Sequence, residues 1–410
     1  MKMQTTAVRL YNANDLRIET FELPELKPEE VLIHVITDSL CASTYKAVKQ
    51  GSAHKRVPED IAENPIIIGH EMCAEIVEVG SDVTEWKKGE KIVIQPALKL
   101  ENGHDPGYSY PYIGGNATYA IVPKIVLERD CMIAWNGDCF YKGSLVEAIG
   151  CSLRGYKGMY HYDYETYVRT DSIKENGRVA VLGGAGPMGL ATAALGIFYG
   201  KASEVVITDV NQERLDYAAS MLTVEAAAKI GCTLRYVNTA KEALPDYYFS
   251  DIFVMAPVPA LLTQAEKIAE EDGCINFFAG PAVHELQGSL NLYRIHYDGI
   301  HLLGTAGSIP EDTRDTLHLI EEDTIDPSIL VSHILGMRAV PDAIMAMEHP
   351  DGLKKVCYND LDIPLVALTD FEKLGETDPM YAELHKIVKA NNGLWCKEAE
   401  DYLLAHAPRL

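Results

Sequence analysis

A glycine-rich turn carries the plainest chemical signal in this sequence. Gly184, Gly186 and Gly189 fit G-x-G-x-x-G within RVAVLGGAGPMGLATAALGIFYG. They follow an apolar strand-like run, Val179 to Leu182, and precede a helix that Pro187 is suited to open. Such a turn can cradle a dinucleotide. The first glycine permits the tight turn, the second lets a pyrophosphate approach the backbone, and the third lets helix pack on strand. The phosphates then meet free N–H groups at the helix start, which makes Gly184, Gly186, Pro187, Met188 and Gly189 the expected cofactor contacts. Asp209 ends the next apolar strand, 20 residues after Gly189. A carboxylate there accepts hydrogen bonds from the adenosine ribose and repels a 2′-phosphate, favouring NAD(H) over NADP(H). A methyltransferase also uses a glycine turn and an acidic strand end, so this segment alone does not establish hydride transfer.

A second signal is positive charge in an acidic chain. The formal net charge is -24, yet Lys46, Lys49, His54, Lys55 and Arg56 fall close together. Such a cluster could capture a substrate phosphate, with Lys46, His54 and Lys55 as the contacts; a solvated loop is the plain alternative. The overall charge makes nucleic acid an improbable partner, because a duplex would be approached against a repulsive field.

The elements that must position these residues come in two kinds. At 410 residues the chain is long enough for two cores, and 47% apolar with 23% charged residues is ordinary for a compact protein. No apolar run reaches the roughly 18 residues of a membrane span, and the N-terminus lacks a signal-like pattern, so the expectation is a cytoplasmic protein with no membrane partner. The 9 cysteines are odd in number and include no C-x-x-C pair, which argues against a disulfide framework. From Thr5 to about Val35, and again from Ile66 to Val93, alternation and turn residues predict a largely β domain. From Gly177 short apolar strands (RVAVL, SEVVITDV, LRYVN, DIFVMA, CINFFAG, HLLGTAG) alternate with helices, one of them over Pro259 to Asp272, and predict a doubly wound parallel sheet. From about Ser308 the alternation stops and the chain is expected to re-enter the first domain. Beyond Pro364 an acidic, helix-forming tail reads as an appended helical pair of no legible function.

Cys41 in VITDSLCAST, the run Gly69-His70-Glu71 in IIIGHEMCAEIVEVG, GGNATYAIVP from Gly114, and Glu147 in GSLVEAIGCSLRG, together with the nucleotide fingerprint, resemble the zinc-containing medium-chain alcohol/polyol dehydrogenase family over residues 5 to 365. The resemblance implies an α/β protein: a GroES-like, mostly β catalytic domain over residues 1–151 and 308–365, a Rossmann domain over 152–307, and a C-terminal helical extension over 366–410. It implies Cys41, His70 and Glu147 as ligands of one catalytic Zn2+. Thiolate, imidazole and carboxylate suit tetrahedral zinc with one open position. Singly, each has a plain reading as a core thiol, a structural histidine or a solvated acid. Two neighbours compete: Cys151, one helical turn from Glu147, and Glu71, which could bind zinc transiently or orient the ligands. Ser43 matches the hydroxyl that begins the family's proton relay, with a turn serine as its plain reading. Lys46 stands where relatives commonly place a relay histidine. Many relatives carry four close cysteines for a structural zinc, and residues 95–120 contain none.

The family resemblance further implies a homo-oligomer. The stretches TDSLCASTYK, AHKRVPED, GYSYPYIGGNAT and GSLVEAIGC resemble its sugar-phosphate branch, which implies reduction of L-sorbose 1-phosphate to D-glucitol 6-phosphate. The alternatives are a dehydrogenase of an unphosphorylated polyol or secondary alcohol, and a nucleotide-binding redox sensor without catalysis.

Overall fold

Alternating apolar residues make the first third of the chain a set of strands. A computed structural model describes residues 3–163, 165–281 and 285–410. β1 (Gln4–Asn12) and β2 (Asp15–Glu22) pair antiparallel, with Val8 opposite Ile18. β3 (Val31–Ser39) is buried on both faces along nearly its whole length. It runs directly into Cys41, the N-cap of α1 (Ala42–Gln50). β4 (Ile66–Ile67) joins β1, and β5 (Met72–Val79) lies antiparallel against β3. β6 (Lys91–Ile94), β7 (Tyr119–Val122) and β8 (Met132–Ala134) follow, with α2 (Lys124–Glu128) between the last two. Two helices, α3 (Phe140–Ser144) and α4 (Val146–Gly158), close this stretch.

The pattern then changes to the expected alternation. After a short ribbon of β9 (Tyr160–Tyr162) and β10 (Arg169–Asp171) come β11 (Arg178–Leu182), α5 (Pro187–Ala194), β12 (Glu204–Asp209), α6 (Gln212–Met221), α7 (Val224–Ala228) and β13 (Thr233–Asn238). The second half is β14 (Phe249–Val254), α8 (Pro259–Ile268), β15 (Ala269–Phe277), α9 (Leu292–Tyr297) and β16 (His301–Leu303). All pairings are parallel, in the order β13-β12-β11-β14-β15-β16. Strand order reverses between β11 and β14, which opens a crevice at the carboxyl ends of the strands. Val181, Val206, Ile252 and Ile275 are completely buried, as continuous apolar strands covered on both faces must be.

The last part contains α10 (Pro310–Glu321), β17 (Val331–Gly336), α11 (Val340–Met345), β18 (Lys354–Tyr358), β19 (Val366–Ala367), α12 (Phe371–Leu374), α13 (Pro379–Ala390) and α14 (Lys397–His406). β18 pairs with β3, completing an eight-stranded sheet ordered β19-β17-β18-β3-β5-β6-β8 with β7 also on β3. By backbone contacts the chain forms two units. One holds Met1–Glu147, Ile309–Leu317 and Val331–Leu410; the other holds Ala148–Ser308 and His318–Leu330.

Two expectations need correction. The helix read as Pro259 to Asp272 stops at Ile268, and Ala269–Phe277 is strand. The irregular start of that strand carries Asp272, whose carboxylate accepts from the Tyr162 N–H and meets His161 and His301. The appended tail is helical as expected, but it holds α12 as well as α13 and α14 and is packed into the first unit. β19 joins the sheet, and Phe371, Leu384, Trp395 and Leu403 are wholly buried.

Candidate active site

Sheet register gathers the reactive residues at one edge. Asp38 of β3 faces Met72 of β5, and Ser39 faces Val356 of β18. The end of β3 and the starts of β5 and β18 therefore meet. Cys41 lies two residues beyond β3, His70 and Glu71 just before β5, and Lys354 opens β18. Among the described residues, one group of three could hold a metal ion: Cys41, His70 and Glu71, with ligand atoms within 4.8 Å of one another.

The surroundings prepare these groups for a cation. Thr44 Oγ1 lies 3.1 Å from His70 Nδ1. A proton on Nδ1 donated to Thr44 leaves the Nε2 lone pair free on the side of Ser43 and Tyr108, the tautomer that a metal-binding histidine requires. Burial, reinforced by the charges of Lys354 and Arg56, keeps the imidazole pKa well below its usual value, so the ring is neutral. The Cys41 thiol is pushed up to about 12 by burial and by the Glu71 carboxylate. A thiol so disfavoured as a bare anion becomes a thiolate by exchanging its proton for a metal. One soft sulfur, one imidazole nitrogen and carboxylate oxygen fit zinc better than a hard cation that prefers all-oxygen ligands.

A hydroxyl chain leads away from the cluster. Tyr108 donates to Ser43 Oγ at 2.8 Å, and Ser43 donates to Cys41 Sγ at 3.0 Å. Both hydroxyls also lie near His70 Nε2, Tyr108 at 3.2 Å and Ser43 at 3.3 Å. Burial raises the Tyr108 phenol well above its usual range, so it stays a donor. Tyr108 comes from the cysteine-free segment 95–120, which delivers a phenol to this edge.

Behind the cluster lies a buried ion pair that sequence reasoning missed. Lys354 Nζ contacts both oxygens of Glu71 at 2.5 Å, with side-chain exposures of 3% and 1%. Burial pulls the ammonium pKa down, yet the Glu71 carboxylate, together with Cys41 and Glu147 nearby, outweighs it and the group stays charged. Asp38 Oδ1 accepts the Glu71 N–H at 3.1 Å and pins the backbone. Glu147 stands on the first turn of α4, outside the group of three. Its charge nevertheless acts on Cys41, Tyr108 and Lys354. Cys151 follows one turn later on α4, its Sγ 3.9 Å from Ser308 Oγ.

The basic cluster divides. Lys49 is matched by Glu348 at 3.7 Å. Lys55 is exposed, and Lys46 lies half-buried three residues after Ser43 on α1. His54 stacks on the Tyr108 ring at 6.0 Å, and the Arg56 guanidinium lies 4.9 Å from the same ring centroid. Arg56 is also braced by Asp105 at 3.1 Å. Burial and the neighbouring Arg56 pull His54 down to about 4, leaving it neutral. Arg56 is therefore the cation tied most directly to the hydroxyl chain.

In the other unit the glycine turn has the expected surroundings, with one change of role. Gly183, rather than Gly184, takes the positive φ of 66° that makes the turn tight. A Cβ on Gly189 would lie 2.1 Å from the Gly184 oxygen, so α5 can approach β11 only without a side chain there. Gly186 is the N-cap of α5, with Pro187 and Met188 on its first turn. Asp209 ends β12, its Oδ1 accepting from Val210 N at 2.8 Å and Asn211 N at 3.0 Å. Arg214, unassigned from sequence, places Nη2 3.1 Å from where a Gly186 Cβ would stand, a cation beside the glycine turn. A cavity of about 840 Å³, around His161, Glu270 and Asp272, lies near the amino ends of β11 and β15 and includes no residue of the glycine turn.

A glycine turn on a doubly wound sheet and a thiol–imidazole–carboxylate cluster on a second unit are the parts of a medium-chain dehydrogenase architecture. Residues 27–129 match the alcohol dehydrogenase GroES-like domain. The chain is 39% identical to the mannitol-1-phosphate 5-dehydrogenase of Aliivibrio fischeri, over 98% of this chain and 97% of that protein. It is also 39% identical to the L-sorbose 1-phosphate reductase of Klebsiella pneumoniae, over 98% of each. The 2R,3R-butanediol dehydrogenase of Bacillus subtilis shares the fold, with TM-score 0.69 and 19% identity over 87% of this chain and all of that one. The chain belongs to the zinc-containing medium-chain alcohol/polyol dehydrogenase family and is an oxidoreductase. No helix among the described residues is long and apolar enough to cross a membrane.

Proposed function

We propose that this protein is an NAD(H)-linked dehydrogenase of sugar phosphates, interconverting a ketose phosphate and a polyol phosphate, with reduction of L-sorbose 1-phosphate to D-glucitol 6-phosphate as its reaction. The observation that carries the substrate class is the Tyr108 ring, which has His54 stacked on it and the Arg56 guanidinium over it and which reaches Ser43 and His70 with its hydroxyl. A phosphate held by the basic loop is thus one ring away from the reacting end of a short sugar chain. The sugar-phosphate names of the two relatives support the same class.

Cys41 and His70 would hold one zinc ion, with Glu147 as the third ligand. Glu71 is the weaker candidate because Lys354 occupies both of its oxygens. When bound, zinc supplies Lewis-acid polarisation of the substrate C–O bond. Ser43 holds the proton that moves on or off the substrate oxygen, and Tyr108, donating to Ser43, keeps that hydroxyl oriented. Lys46, Lys55 and Arg56 hold the phosphate, while neutral His54 offers a hydrogen bond. Asp209 receives the adenosine ribose and makes NAD(H) the preferred cofactor.

The test is NADH oxidation with L-sorbose 1-phosphate, L-sorbose and D-fructose, and NAD+ reduction with mannitol 1-phosphate. The phosphorylated ketose should exceed the free ketose in kcat/KM by on the order of 100-fold, since several charge-assisted hydrogen bonds are available only to the dianion. Neutralising Lys55 and Arg56 should raise KM for the phosphosugar alone. Equal efficiency with free L-sorbose would instead support a neutral polyol substrate.

A further inference from the structure

We propose that Glu400, in the C-terminal helices, is a positioning residue: it clamps the start of α3 and thereby fixes Glu147, the carboxylate that completes the metal site. This rests on the reading of Glu147 as a metal ligand. Glu400 lies on α14 and its residue is 1% exposed. Its Oε2 accepts the Phe140 N–H at 2.6 Å and its Oε1 the Tyr141 N–H at 2.8 Å. The Tyr358 hydroxyl donates to Oε1 at 3.0 Å and in turn accepts from Trp395 Nε1 at 2.8 Å. Tyr141 closes the loop by donating to the Trp395 carbonyl at 3.4 Å.

The peptide so held is gripped from its other end as well. Thr37 of β3 donates to the Phe140 carbonyl at 3.0 Å, and β3 is the strand that leads into Cys41. Phe140 is thereby tied to the tail through its N–H and to the cysteine strand through its C=O. Glu147 follows 7 residues later. Between them Tyr141, Ser144, Leu145 and Val146 are all at most 1% exposed, and Ser144 Oγ donates to the Tyr141 carbonyl at 2.8 Å. A packed segment without slack transmits the position of its first turn to its last residue. A helix start needs partners for its unpaired N–H groups, and an exposed serine or asparagine would suffice. Burying a carboxylate there instead demands that its oxygens be fully used, which restricts the segment to one geometry.

The test is zinc affinity of the full-length protein by chelator competition, paired with the visible absorption of the cobalt-loaded protein. Four forms are compared: wild type, Glu400→Gln, Glu147→Gln and the double variant. Glu400→Gln should weaken zinc binding about 10- to 100-fold, the range seen when groups supporting a metal ligand are removed. It should also shift the cobalt spectrum and leave NADH binding unchanged. In the Glu147→Gln background the same substitution should add no further zinc loss, because the residue it positions has gone. If Glu400→Gln does not fold, Tyr358→Phe, which takes one donor from the carboxylate, should give the same non-additive pattern at smaller size. Zinc loss of equal size in both backgrounds, or a lowered melting temperature with unchanged zinc affinity, would leave Glu400 a purely structural cap and overturn the proposal. Undiminished zinc binding in Glu147→Gln would overturn the ligand reading and the proposal with it.

Discussion

The glycine turn and the Cys41–His70 cluster are built in opposite ways. The turn from Gly183 to Gly189 and its acidic partner Asp209 come from one continuous stretch, and the turn's specificity lies in backbone shape: a positive φ at Gly183 and bare contact between Gly189 and Gly184. The cluster draws Cys41, His70, Glu71, Tyr108 and Lys354 from segments up to 313 residues apart and relies on side chains that neutralise one another in a buried place. A local backbone site should fail by local changes and spare the rest. A non-local electrostatic site should fail all at once when any member is removed.

The largest expected effect follows from that contrast. Cys41→Ser or His70→Ala should lower turnover by about 10³-fold or more, since Lewis-acid stabilisation amounts to several kcal/mol of the barrier. Zinc measured by atomic absorption should fall with it. NADH binding, followed by nucleotide fluorescence, should stay within about twofold of wild type. Full turnover by either variant, or by metal-free protein, would remove the cluster from the reaction. A collapse of NADH affinity would show that the two regions are not independent.

An effect on stability rather than turnover is expected behind the cluster. Removing one partner of the Glu71–Lys354 pair leaves a buried charge without compensation, which costs about 3–5 kcal/mol. Glu71→Gln and Lys354→Met should each lower the urea midpoint strongly. The double variant should recover a large part of the loss, since no lone charge remains. Additive losses in the double variant would show that packing, rather than charge balance, sets the cost.

The same contrast explains what could be read from the sequence. The glycine turn, Pro187 at the start of α5 and Asp209 at the end of β12 were legible because each signal sits within one local pattern. Even there the tight φ fell one residue early, at Gly183, since two adjacent glycines cannot be ranked by type. Cys41, His70 and Ser43 were singled out by their motifs, and the structure brings them together. Lys354 was not, because nothing near it in KKVCYND signals a partner; only the pairing of β18 with β3 brings it to Glu71. Tyr108 stands in GYSYPYIGGNAT, where one tyrosine among several carries no mark of the phenol that turns inward. The tail was read as helical, yet Glu400 looks like any acid on a charged helix, and its burial is a product of tertiary packing.

The smallest effect sharpens the local side of the comparison. Asp209 has one task in the fold and a second in the proposed reading: Oδ1 accepts the N–H groups of Val210 and Asn211, and the carboxylate would meet the ribose. Asp209→Asn keeps an acceptor for the turn and removes the charge, whereas Asp209→Ala removes both. If the charge alone excludes a 2′-phosphate, both variants should improve NADPH relative to NADH, because the repulsion vanishes in each. NADH binding should weaken roughly tenfold in the alanine variant, the loss of one or two hydrogen bonds of about 1 kcal/mol each, and less in the asparagine variant. Because the site is local, neither substitution should alter zinc content. Wild-type protein that already prefers NADPH would contradict the assignment at its root, and zinc loss in either variant would erase the distinction between the two regions.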